Sequence, residues 1–376
     1  MSDERPLLSP TIAALPLYRP GRSVEEVARG CGLAEVLKLA SNENPLGPSP
    51  RAVEAAVAAL RSAHRYPDGA ATELKAALAE RCGVSPEQLV LGAGSTDLIE
   101  LCVRTFATPQ EHAVISAGSF IAYRLFLLSA GIPFTETPLA GMAIDLEAMA
   151  AAVRPETKLV FIPNPNNPTG SRFGAAALTR FLGQLGSQVV LVLDDAYLDF
   201  NEGPDVPDTL GVLRARGRTV VLRSFSKVYG LAGLRLGFAV SSLPLAQALQ
   251  RVHRPFAVSR VAVDAGRAAL LDEEHLQRTV TLTAAGRRQL TDALQELGLE
   301  VLPSHANFVT MNLGAERVVD ALSESLLRQG LIVRPLAAFG LPAHLRVSVG
   351  TERENGVVVD AIARQVREDR RQLNTR

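Results

Sequence analysis

Lys227 stands among small hydroxyl residues in the run Arg223-Ser224-Phe225-Ser226-Lys227-Val228-Tyr229-Gly230, and Arg235 follows on the same segment. An apolar, β-type run at residues 219–222 leads into it. A lysine in apolar company is a costly choice unless its amine does something. Burial lowers an amine's pKa and frees it to attack carbonyls. Ser224, Ser226 and Arg235 are the residue types that hold a phosphate. An aldehyde for the amine and a phosphate for its neighbours together describe pyridoxal phosphate (PLP). The competing reading is a solvated lysine in a surface loop, and this stretch alone does not choose between them.

Other segments carry compatible chemistry. Gly92-Ala93-Gly94-Ser95-Thr96-Asp97 follows an apolar run and opens a helical pattern. Glycine lets backbone N–H groups approach a ligand, and a helix N-terminus favours an anion. A dinucleotide fingerprint would want a third glycine where Asp97 stands and an acid closing the next strand, which instead ends at Ser116. Asp194-Asp195 closes another apolar run. A buried acid needs a partner. A pyridinium nitrogen is one such partner, and a cap or ion pair is the plainer alternative. Asn164 to Gly170, with two X-Pro steps, is an irregular backbone that presents amides, or simply a turn. Arg346 lies inside the apolar run 345–349, and Arg334 follows a shorter one. Both suit an anion clamp, or a structural ion pair.

The elements that must position these residues follow from pattern. From residue 88 to about 242, short apolar strands near 89–91, 113–116, 159–162, 189–193, 219–222 and 238–240 alternate with helices near 96–106, 121–130, 146–152 and 175–185. That alternation predicts an α/β fold with a mostly parallel sheet sandwiched by helices. Ligands in such sheets sit at the carboxyl ends of the strands, where every unusual segment falls. Earlier, a helix is expected over 50–62, and a second one capped by Thr72. A long helix over 273–297 precedes a smaller α+β pattern, with strands near 300–302, 308–311, 332–333 and 345–349. The chain has 376 residues, more than one core usually serves. The expected division is an N-terminal arm over 1–40 packing on the small domain, a large domain over 41–245, and an interdomain helix with the small C-terminal domain over 246–376.

Composition excludes several classes. Lys and Arg number 39 and Asp and Glu 39, so there is no bulk electrostatic case for nucleic acid or an anionic membrane. No apolar run reaches the ~18–20 residues of a membrane helix. Cys31, Cys82 and Cys102 show no metal-ligand or paired spacing, which fits a reduced, cytoplasmic setting.

Taken together and in this order, the segments resemble the fold-type I PLP-dependent aminotransferases, and more closely the histidinol-phosphate aminotransferase family. The stretches that carry the resemblance include KLASNENPLGPSP at 38–50, RYPDG at 65–69, GAGSTDLIE at 92–100, PNPNNPTG at 163–170, LDDAY at 193–197, SFSKVYGLAGLRLGF at 224–238 and GLPAHLRVSVGTEREN at 340–355. The resemblance implies a transaminase in which Lys227 carries PLP and shuttles a proton, and Asp194 pairs with the pyridine nitrogen. Asn167 and Tyr197 would bond the ring's 3′-oxygen. Ser95, Thr96, Ser224, Ser226 and Arg235 would grip the phosphate, and Phe120 would stack on the ring. Tyr66 resembles the tyrosine that reaches the phosphate of the other subunit, which implies a homodimer. Tyr18, Asn42, Arg334 and Arg346 match substrate-side positions. The implied reaction converts histidinol phosphate and 2-oxoglutarate into imidazole acetol phosphate and glutamate. An aromatic amino-acid aminotransferase and a threonine-phosphate decarboxylase share the scaffold. The chain departs from the pattern at Ala93, Thr96 and Asp97 in the phosphate loop, at Phe120 in place of a common Tyr, and at Gly118 in place of a usual Pro.

Overall fold

Apolar runs flanked by turn formers can bury both faces only inside a sheet covered by helices. The computed structural model describes residues 7, 8, 10–13, 15 and 22–374. Seven strands form its main sheet: β1 (Leu89–Gly92), β2 (His112–Ser116), β3 (Phe134–Thr137), β4 (Thr157–Pro163), β5 (Val190–Asp194), β6 (Thr219–Ser224) and β7 (Gly237–Ser241). Their order is β1-β7-β6-β5-β4-β2-β3, parallel except for β7. Alternate residues feed opposite cores. Leu91, Ile162, Leu193 and Val221 pack with Leu74 and Leu78 on one face. Val90, Phe161, Val192 and Val220 pack with Leu98, Cys102 and Leu127 on the other.

The antiparallel β7 matters for position. It runs back between β1 and β6, with Gly237 in register with both Gly92 and Ser224. The residues just after β1, at the end of β6 and just before β7 are thereby brought to one edge.

A second, four-stranded antiparallel sheet follows: β8 (Glu300–Leu302), β9 (Phe308–Asn312), β10 (Arg334–Pro335) and β11 (His344–Ser348), in the order β8-β9-β11-β10. The helix Glu273–Glu296 serves both layers. Leu276 and Val280 pack on the large core, whereas Leu290 and Leu294 belong to the small one. At 24 residues it is about 36 Å long.

Several expectations shift. The strand expected at 332–333 splits in two. Leu331–Ile332 pairs in parallel with Leu37–Lys38, and Arg334–Pro335 joins the small sheet. Pro335 has no N–H to donate, which keeps β10 a short edge strand. Arg334 therefore lies in a strand rather than after one. β3 was not anticipated, because Thr135 and Glu136 interrupt its apolar pattern at the sheet edge. Thr72 is the first helical residue rather than the cap. The carboxylate of Asp68 accepts from Thr72 N at 2.8 Å, Thr72 Oγ1 at 2.8 Å and Ala70 N at 2.9 Å, so a residue four earlier does the capping. The described part of the first forty residues touches both layers. Val27 and Ala40 cluster with Ile332, but the turn Pro10–Ala13 lies against the helix Ile121–Ser129 of the large layer. Among the described residues no helix is long and apolar enough to cross a membrane.

Candidate active site

β4, β5 and β6 are parallel; β4 and β5 end together, with Pro163 in register with Asp194, and β6 runs two residues beyond Leu222, the partner of Asp194. Beyond their carboxyl ends lies a cavity of about 320 Å³. Its lining includes Lys227, Asp194, Tyr197, Asn167 and Phe120, the set Ser95, Thr96, Ser224, Ser226 and Arg235, and from outside the main sheet Asn42, Arg334 and Arg346. One expected residue among those described, Tyr66, is not in it. Tyr66 is 77% exposed and stacks on Phe256 with ring centroids 4.7 Å apart. Tyr18 lies outside the described residues.

One group of residues is built for an anion. Gly94 has φ 84° and opens the helix Ser95–Phe106 with no side-chain cap. A Cβ at Gly94 would collide with the Arg235 guanidinium, and one at Gly237 would lie 2.7 Å from Ser95 N. Both glycines are required for this close approach. Ser224 Oγ accepts from Ser226 N at 3.1 Å, and Ser226 Oγ accepts from Arg235 Nη1 at 3.4 Å. Asp97 holds the loop from behind: one oxygen accepts from Ala93 N at 2.9 Å, and the other accepts from Arg254. This role for Asp97 was not anticipated.

Lys227 is half-buried rather than sealed in. Its Nζ donates to Ser41 O at 3.1 Å and Asn42 O at 3.2 Å, 5.5 Å from the centroid of the Tyr197 ring. The polar loop that begins at Ser41 is fixed on the lysine segment. Asn44 Nδ2 donates to Val228 O at 3.0 Å, and a Cβ at Gly230 would collide with Gly47 O.

Asp194 is 4% exposed, and burial raises its carboxyl above the ordinary value. Tyr123 Oη donates to its Oδ2 at 2.7 Å, and Ala196 N to its Oδ1 at 3.1 Å. Asp195 is turned away from the cavity. Thr209 Oγ1 donates to its Oδ2 at 2.6 Å, Arg223 Nε lies 3.8 Å away, and burial pushes its carboxyl up to about 7. Of the two adjacent acids, Asp194 is the one available to a ligand.

Tyr197 Oη accepts from Asn42 Nδ2 at 2.9 Å. Asn42, at φ 55°, is tied to the small sheet: its N donates to Ser348 Oγ at 2.8 Å, and its C=O accepts from Asn307 Nδ2 at 3.0 Å. Arg334 and Arg346 face each other directly across β10 and β11. Like charges in that position repel. No carboxylate among the described residues pairs with either. Arg346 is 4% exposed, and burial lowers its guanidinium to about 10. Its Nη1 donates to Asn167 Oδ1 and its Nη2 to Ala40 O at 2.7 Å, but Nε has no partner. The ring of Phe339 lies near both guanidiniums, 5.8 Å from Arg334 and 5.9 Å from Arg346. Neither Phe339 nor Tyr123 was singled out from sequence. Each reads there as ordinary core, although a buried tyrosine usually finds a hydrogen-bond partner.

The donor set fits PLP: an amine for its aldehyde, a glycine-lined anion cradle for its phosphate, and a buried acid for its ring nitrogen. Comparison with known proteins agrees. The family described as Aminotransferase class I and II matches residues 34–362. Histidinol-phosphate aminotransferase 2 of Pseudomonas aeruginosa is 44% identical over 371 residues, covering 98% of this chain and 100% of that protein. Histidinol-phosphate aminotransferase of Anaeromyxobacter sp. is 44% identical over 360 residues, covering 96% and 99%. The crystal structure of histidinol-phosphate aminotransferase from Sinorhizobium meliloti, in complex with pyridoxal-5′-phosphate, superposes with a TM-score of 0.89 at 29% identity, over 97% of this chain and 99% of that one. The architecture is fold type I of the PLP-dependent enzymes. Because the likeness extends over both sheets and nearly every residue of its relatives, this chain belongs to the class I and II aminotransferases, on the histidinol-phosphate aminotransferase branch.

Proposed function

We propose that the chain transfers the amino group of histidinol phosphate to 2-oxoglutarate, a step of histidine biosynthesis, with PLP as cofactor. The observation that carries the substrate choice is the pair Arg334 and Arg346, opposed across two strands with no carboxylate between them. One carboxylate satisfies one guanidinium. A phosphate has three oxygens and can accept several charge-assisted bonds. Phenylalanine offers a single anion and leaves one arginine unmatched, which disfavours the aromatic aminotransferase reading.

When bound, PLP supplies an electron sink for the bonds around the substrate's Cα. Lys227 would carry the cofactor and move the proton at the substrate's Cα. Asp194 would hold a proton on the ring nitrogen. Asn167 and Tyr197 would hold the ring's hydroxyl oxygen, and Phe120 would pack against the ring. Ser95, Thr96, Ser224, Ser226 and Arg235 would bind the cofactor phosphate. Tyr18, Asn42, Arg334 and Arg346 orient the substrate, and Arg346 receives the glutamate carboxylate in the other half-reaction.

The active unit in this reading is a homodimer. Val53, Val57 and Leu60 follow helical spacing on Pro50–Leu60, and they are exposed, as are Tyr66, Phe256 and Leu271. Such an apolar face calls for a partner. A second copy supplies it and lets Tyr66 reach the neighbour's cofactor phosphate. The domain boundaries near residues 40 and 245 belong to the same reading, as does a cytoplasmic setting, in keeping with three unpaired cysteines.

Purified protein assayed with histidinol phosphate, phenylalanine and threonine phosphate, each against 2-oxoglutarate, tests the proposal. The expected result is a kcat/KM for histidinol phosphate at least tenfold above the others. Faster turnover of phenylalanine, or release of carbon dioxide from threonine phosphate, would overturn it.

A further inference from the structure

Tyr123 has no exposed surface, and its hydroxyl donates to Asp194 Oδ2 at 2.7 Å. Its ring is fixed by two neighbours. It stacks on Phe161 of β4 at 5.1 Å with an interplanar angle of 18°, and it meets Phe120 edge-on at 5.9 Å. The hydroxyl therefore cannot swing away from Asp194 without breaking ring packing. Phe120, one turn earlier on the same segment, has no hydroxyl to take its place.

Each oxygen of Asp194 receives one donor, Tyr123 on Oδ2 and the backbone N–H of Ala196 on Oδ1. Burial favours the neutral acid. The Tyr123 hydroxyl opposes it first, then the Ala196 N–H, then the charge of Lys227. The phenol of Tyr123 is itself pushed well up, by burial and then by the charge of Asp194, so it remains a proton donor at any working pH. Of the two donors, only Tyr123 can be removed by substitution.

We propose that Tyr123 is a positioning residue for the transamination: its hydroxyl fixes the orientation and the negative charge of Asp194, and through them how strongly the bound cofactor draws electrons from the substrate. The inference rests on the reading of Asp194 as the partner of the ring nitrogen. Groups one shell removed from a reacting centre typically change activity about 10–100-fold when lost, by orienting the residue that does the contact.

The test is Tyr123→Phe in the holoenzyme, which removes one oxygen and keeps the stacked ring. A fall in kcat of about 10–100-fold is expected, with KM nearly unchanged. The pH titration of the bound cofactor's visible absorbance should move its midpoint, while the melting temperature of the apoprotein stays close to the parent's. A merely structural role would change the melting temperature and leave the titration alone, and that result overturns the proposal. The double variant Tyr123→Phe/Asp194→Asn separates the inference from its premise. Tyr123→Phe should cost less than about threefold once Asp194 is replaced, because the two act as one unit. Full additivity on an impaired Asp194→Asn overturns the inference alone. Parental activity in Asp194→Asn by itself overturns the premise and the inference together. Should the phenylalanine chain fail to fold, 3-fluorotyrosine at position 123 gives a second measurement. It keeps the ring and strengthens the donor, so the titration midpoint should move the opposite way, and an unmoved midpoint counts against the proposal.

Discussion

Three single residues are conspicuous for what the rest of the protein withholds from them. Among the described residues, Lys227 Nζ donates to two backbone carbonyls and pairs with no carboxylate, Asp194 is buried with no cation paired to it, and Arg346 Nε has no hydrogen-bond partner. Each is a costly group left open on the cavity side. Replacing Lys227 with Ala should reduce transamination at least about 10⁴-fold, the upper range for a positioned proton-transfer group. Borohydride treatment of the parent followed by peptide mapping should place the fixed label on Lys227, and a label on any other lysine would sink the assignment. These three were legible in sequence because an ionisable residue in or beside an apolar run is expensive enough to demand a reason. Tyr123, Asp97 and Phe339 were not legible. A tyrosine or phenylalanine in an apolar context reads as core, and an Asp in a first helical turn reads as a favourable charge. Their actual partners, Asp194, Ala93 and the two guanidiniums, come from distant parts of the chain or from the reversal of the backbone around a loop.

Among the elements, β10 and β11 carry the substrate argument, because their register alone sets Arg334 against Arg346. Arg334→Ala should therefore harm histidinol phosphate more than glutamate, by about 1.5–3 kcal/mol, the size of hydrogen bonds to charged groups. Arg346→Ala should harm both. Single-turnover half-reactions, followed through the cofactor's spectrum, measure the two losses separately, and equal losses in Arg334→Ala would count against phosphate recognition. The small sheet was the least legible part of the fold. Residues 332–333 read as one short strand, yet the segment 331–335 serves two partners: Leu331–Ile332 pairs with Leu37–Lys38, and Arg334–Pro335 pairs with β11. Local pattern cannot say which neighbour a short apolar pair will find. The large sheet was far more legible, since β1, β2, β5 and β7 are buried at every position and their runs are continuous. β3 escaped because an edge strand needs only one covered face and can carry Thr135 and Glu136.

For the molecule as a whole, the exposed stack of Tyr66 on Phe256 would belong to a two-chain site in the proposed homodimer. Mixing Lys227→Ala chains with Tyr66→Phe chains tests this. In a mixed dimer, one site carries both lesions and the other carries neither, so part of the activity should return. No recovery despite demonstrated subunit exchange would mean that Tyr66 acts within its own chain. The helix Glu273–Glu296 has a different consequence. It contributes side chains to two cores, so neither can melt without stripping apolar cover from the other. Such shared cover makes thermal unfolding cooperative, and calorimetry should show a single heat-absorption peak. At Gly286 the helix lies close against the small layer, because a Cβ there would lie 2.6 Å from Val349 Cγ1 and 2.7 Å from Asn355 Nδ2. Gly286→Ala should lever the helix off the small core and split the peak in two. The small layer would melt first and the large sheet would hold to a higher temperature. A single peak that merely shifts would mean that the two layers are welded by contacts other than this helix.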